Sequence, residues 1–203
     1  MPLPNPVERK KLHDRKIHCE GFKRADGLYD IEARLVDLRT FDCSYDEVHR
    51  GGLIKAGEPV HDIYLRVTID LKFVIQEVYA ASDATPFNVC PKATSAMKEL
   101  VGLRIGPGWV REAKQRIGTD ISCTHLMDLL RPLATTAYQT MYAEIEEKAQ
   151  NKPNRGKPPI IGTCLAMAAD GEVVMKRWPQ FYEPKNSNEN KETKELSESS
   201  EPS

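Results

Sequence analysis

Several things are missing from these 203 residues, and each absence excludes something. No uninterrupted apolar run approaches the ~18 residues that a membrane-spanning helix needs. Charge of one sign is missing too: 29 Lys and Arg face 30 Asp and Glu, for a formal net charge of −1. That balance excludes a dedicated, strongly basic nucleic-acid binder. The start, MPLPNPVERKK, lacks the apolar stretch of a secretory leader, so the expected location is cytoplasmic. There is no CxxC pair, no HExxH helix, no GxxxxGK[ST] phosphate loop and no GxSxG nucleophile elbow. Cysteine is sparse, and Cys19, Cys43, Cys90, Cys123 and Cys164 are odd in number and spread along the chain. A small disulfide scaffold needs paired, crowded cysteines, so reduced thiols are expected: buried hydrophobes, metal ligands or nucleophiles.

What is present falls into segments. Residues 1–24 are Pro-rich and then basic, with seven Lys/Arg against three acids over 7–24, and read as a flexible N-terminal segment. An α+β core follows over 25–150. From Leu28 to Thr40 the chain alternates, with Tyr29, Ile31, Ala33 and Leu35 on one side, as in a half-buried strand. Residues 41–58 are a connection holding Cys43, Asp46, His49 and Gly51-Gly52. Two more strands, over 60–70 and 71–82, are close enough to form an antiparallel hairpin. Beyond residue 83 the apolar period lengthens to that of helices. One helix starts at Cys90-Pro91 and closes at Gly102, a second runs from Trp109 to Gly118, and a third opens near Ser122–Thr124. Pro132 predicts a kink or break in the third. Residues 151–182 read as a Pro/Gly linker and a β-hairpin turning at Asp170-Gly171 and packed on the core. Residues 183–203 have no apolar pattern and read as a disordered tail. Strands followed by helices make the expected fold α+β, a three-stranded antiparallel sheet with a helical layer and an extra C-terminal hairpin.

The candidate chemistry lies at element ends. Cys123 opens a helix, where unpaired N–H groups favour a thiolate, the form that binds metal or attacks an electrophile. His125 follows two residues later. On a regular helix the two point about 200° apart, so they share a site only if the first turn is irregular. Cys90 also precedes a helix, Asp83 sits at the end of the third strand, and Cys43 lies between the first two strands. Three thiols at three element ends is the composition of a soft-metal or iron–sulfur site, although loops occur at element ends in any case. His61 is in phase with Ile63, Leu65 and Val67, so it points inward and needs a partner there, whether a carboxylate, a backbone group or a metal.

Four stretches carry a resemblance: DGLYDIE (26–32), AGEPVHD (56–62), VGLRIGPGW (101–109), and CTHL (123–126) leading to PLATTA (132–137). Together they resemble an uncharacterised family of bacterial proteins known only as a domain of unknown function, which implies membership and no mechanism. The order of elements is also similar to the iron–sulfur scaffold proteins of the IscU/NifU type. That likeness implies an IscU/NifU-like fold and puts Cys43, Cys90 and Cys123 in the three cysteine slots of the cluster site. The departures are Val89 and Pro91 flanking the middle cysteine, His125 following rather than preceding the last one, and Tyr45 where an aspartate belongs.

The leading expectation is a metal-binding accessory or carrier protein, with zinc or an iron–sulfur cluster held by Cys43, Cys90, Cys123 and His125 or His61. The alternative is a small-molecule enzyme with Cys123 or Cys90 as nucleophile, His61 or His125 as base and Asp83 orienting it. A second alternative is a non-catalytic module that binds a protein partner through its strand faces and GPGW turn.

Overall fold

A computed structural model describes residues 3–45, 49–150 and 156–184. Asp46, residues 151–155 of the expected linker and the tail from 185 onward lie outside the described residues. The chain divides into two compact units, Met1–Glu146 and Glu147–Ser203.

The first unit is built on strands β1 (His13–Lys23), β2 (Tyr29–Arg39), β3 (Cys43–Ser44), β4 (Leu53–Ile54), β5 (Pro59–Ile69) and β6 (Ile75–Ala84). Four of them form one antiparallel sheet in the order β1-β2-β5-β6, while β3 and β4 pair as a two-residue ribbon. Helices α1 (Ala93–Ala96), α2 (Trp109–Ile117), α3 (Thr124–Asp128) and α4 (Leu130–Gln150) follow. Short 3-10 turns flank α1 at Cys90–Lys92 and Met97–Leu100.

Alternation decides which sheet face is covered. Tyr29, Ile31, Ala33 and Leu35 of β2 and Ile63, Leu65, Val67 and Ile69 of β5 are buried and form one core with Met97, Leu100, Trp109, Ile117, Leu126, Leu133 and Met141 of the helical layer. The opposite face is polar, with Arg34 over the Tyr64 ring and Arg66 over the Tyr79 ring. The β5–β6 turn is closed by Asp70, whose Oδ1 accepts from the backbone N–H of Lys72 and of Val74. Gly118 (φ 82°) ends α2, a left-handed position that suits glycine. The expected break near Pro132 falls just before it, between α3 and α4, and leaves the proline in the first turn of α4, where a missing N–H costs nothing.

Two expectations are corrected. The core sheet has four strands, because residues 13–23 of the expected flexible segment form β1. An edge strand needs only a sparse inward row: on β1, Cys19 packs against the core while Ile17 and Phe22 remain exposed. The expected C-terminal hairpin is helical. Leu165–Met167 is a 3-10 turn and Glu172–Arg177 is helix α5. Glu172 lies in its first turn, Lys176 and Arg177 in its last, and Lys176 bonds Glu172 one turn back, a charge order that suits a helix dipole and not a strand. Val174 and Trp178, four apart, bury their side chains with Ile161 in the second unit's own small core.

β1 meets α4 at Gly21, where an added Cβ would lie 1.8 Å from Thr140 Oγ1. Gly21→Ala therefore must push strand and helix apart, and urea denaturation should show a loss of about 1–3 kcal/mol. An unchanged midpoint would mean that the two elements do not pack this closely.

Candidate functional site

The inward phase of β2 continues past its apolar residues to Asp37, which is only 3% exposed. Register places it opposite two residues: Arg15 across on β1 and His61 across on β5. A buried carboxylate requires partners, and this one has a full set. Arg15 grips it with both arms, Nε to Oδ1 at 2.8 Å and a terminal nitrogen to Oδ2 at 2.9 Å. His13 Nε2 lies 3.0 Å from Oδ1, and His61 Nδ1 lies 3.1 Å from Oδ2. His125, from the first turn of α3, brings Nε2 to 3.8 Å from the same Oδ2. The two imidazoles stack with centroids 3.7 Å apart and planes tilted by 32°. Cys123 caps α3, and its Sγ lies 3.9 Å from the other nitrogen of His125, Nδ1.

Electrostatics fixes the charge states. Burial pushes the Asp37 carboxyl up, but the hydrogen bonds and charge of Arg15 and the bond from His13 outweigh it and hold the group below its ordinary value. His61 goes the other way: burial and then the neighbouring His125 lower it to about 4, against the pull of Asp37. His125 is lowered as well, by burial and then by Arg15. At neutral pH the cluster thus consists of a carboxylate and two neutral imidazoles, the forms that ligate metals.

One ligand atom from each of Asp37, His61 and His125 lies within 4.8 Å of the others. The 3.1 and 3.8 Å separations from Oδ2 bracket the about 3.4 Å edge of a tetrahedron with 2.1 Å bonds to a metal. Beside the cluster opens a cleft of about 780 Å³, walled by His61, His125, Cys123, Cys90, Phe87 and Ile121 among others.

The expected site residues are sorted by this arrangement. His61, His125, Cys123 and Cys90 all reach the cleft. Cys43 is not brought to it: its thiol is buried by the β3–β4 ribbon with the Arg39 guanidinium 3.0 Å away. Asp83 is exposed, and its charge acts on Arg34 and Tyr64 at the polar face of the sheet, so it does not orient either histidine. Asp37 holds that position instead. The strand expected over 28–40 has an inward row named only as far as Leu35; two residues further the same row puts an acid on the buried side. Arg15 and His13 were hidden because their segment read as a tail.

The cluster can also be set against known proteins. A family described as "Protein of unknown function (DUF2889)" matches residues 13–139. The chain belongs to this family. The DUF2889 match runs from the first residue of β1 into α4, so it contains His13, Arg15, Asp37, His61, Cys123 and His125. No curated protein and no solved structure matches the chain, and nothing supports the expected likeness to the IscU/NifU scaffold proteins. Among the described residues of this DUF2889 chain, no helix is long and apolar enough to cross a membrane.

The lowered His61 sets a pH dependence. Between pH 6.5 and about 4 the unfolded chain protonates this imidazole and the folded chain does not. Stability from this residue is therefore complete above pH 6.5 and is lost as the pH falls to about 4, by about 3 kcal/mol. Urea denaturation of chelator-treated protein across that range should show the decline, and His61→Gln should reduce it, leaving the share of the lowered His125. A wild-type curve that stays level from pH 7 to 4 would contradict the assignment.

Proposed function

We propose that this protein binds one divalent transition-metal ion through Asp37, His61 and His125 and presents it to a small molecule in the adjoining cleft. The observation that carries the reading is the convergence of one carboxylate and two neutral imidazoles from three separate elements within 4.8 Å. Two histidines and one carboxylate suit zinc or iron(II) and leave coordination positions for water or a substrate. Bound there, the ion supplies a Lewis acid that polarises an oxygen and acidifies bound water.

The surrounding residues fit the same reading. His13 and one arm of Arg15 hold Oδ1 of Asp37, and the other arm of Arg15 shares Oδ2 with the two histidines. Cys123 meets the Nδ1 of His125, the ring nitrogen away from Asp37, and so orients that imidazole rather than joining it as a ligand. An iron–sulfur cluster needs several thiolates, and among the described residues only Cys90 and Cys123 bring thiols to this cleft, so a mononuclear ion is favoured over a cluster.

A second reading follows from the chain Cys123 Sγ, His125 and Asp37, at 3.9 and 3.8 Å: a thiol nucleophile, its base and an orienting acid. It requires no metal. Iodoacetamide at pH 6 should then modify Cys123 well ahead of Cys90, with the preference lost in His125→Ala.

Elemental analysis of full-length protein purified without oxygen tests the first reading. About one equivalent of zinc or iron is expected. His61→Ala and His125→Ala should each weaken binding by more than the about 10- to 100-fold typical of losing an outer partner, measured against a chromophoric chelator. Cys43→Ala should bind normally. Less than about a tenth of an equivalent in the wild type, before and after zinc loading, would end the metal reading.

A further inference from the structure

We propose that the ligand of the cleft is a small organic monoanion, with a carboxylate directed to the metal ion and an apolar aromatic or branched body. This rests on the metal reading above. Two features of the cleft lead to it.

The first is the charge of the site. Asp37 is the only anion among the three ligands, and Arg15 already pairs with both of its oxygens. A histidine ligates a metal only as a neutral donor, so His61 and His125 add no charge to the site. A divalent ion in this setting keeps nearly its whole double charge, in a partly buried place where that charge is poorly screened. An anionic oxygen donor from the ligand is what such an ion lacks.

The second is the lining. Phe87, Val89 and Ile121 are 40%, 59% and 60% exposed, and all three wall this one cleft. Scattered exposed hydrophobics need no explanation, but three converging on one concavity mark an apolar contact surface. Glu99 and Asp120 also line the cleft, and among the described residues Lys92 is its only Lys or Arg. Their excess of negative charge disfavours a second anionic group on the body of the ligand, so a monocarboxylate is preferred to a dicarboxylate.

Isothermal titration of the full chain, after its zinc content has been measured, tests the inference with three probes: phenylacetate, the neutral 2-phenylethanol, and 4-carboxyphenylacetate, which carries a second charge at the far end of the ring. With zinc bound, phenylacetate should saturate and bind about tenfold or more tighter than either of the others. Val89→Asp and Ile121→Asp, both at exposed positions, should keep the zinc and weaken phenylacetate by about tenfold or more. If zinc is bound but phenylacetate does not saturate, binds no better than the alcohol, or is indifferent to both substitutions, the ligand class is wrong and the metal site stands. If no zinc is bound, the metal reading fails and the anion loses its anchor with it.

Discussion

The ion pair between the buried Asp37 and the partly exposed Arg15 is the constraint on which the rest of this structure turns. A carboxylate 3% exposed on the packed face of a central strand is tolerable only with its charge matched and its oxygens bonded. That requirement ties β1 to β2 through Arg15, β2 to β5 through His61, and the sheet to α3 through His125. Arg15 also reaches Asp128 at the end of α3, at 3.2 Å, so one guanidinium bridges the sheet and that helix.

Much of the fold was legible because period-two alternation and helix-stop glycines are local signals. β2, β5 and β6, the start of α2 at Trp109 and its end at Gly118 all follow from short windows of sequence. β1 was not legible. Its inward row contains Arg15, Cys19 and Gly21, and such a row has no apolar alternation to detect; only pairing with β2 makes it a strand. The C-terminal segment failed for a different reason: Asp170-Gly171 between short apolar runs is a genuine turn signal, and the ordering of Glu172 before Lys176 and Arg177 was the stronger one.

The site was half legible. His61 stood out as a histidine in phase with Ile63 and Leu65, and His125 as a neighbour of a helix-opening cysteine. Their meeting point was not, because it depends on β2–β5 register and on where α3 docks, both set by contacts distant in sequence. Cysteine at an element end is conspicuous, whereas Asp37 looks like one of many carboxylates until its phase on the strand is followed.

The site's dependence on an edge strand has a dynamic consequence. β1 has a single strand neighbour, so half of its amides point away from any ladder partner, and it gives the core little beyond Cys19. Edge segments of this kind open locally at a smaller free energy than the whole domain, a motion that amide hydrogen exchange detects. Each such fraying withdraws Arg15 and His13 together and leaves Asp37 to the histidines alone. The cluster's geometry is thereby governed by the local opening of eleven residues rather than by global unfolding of the chain.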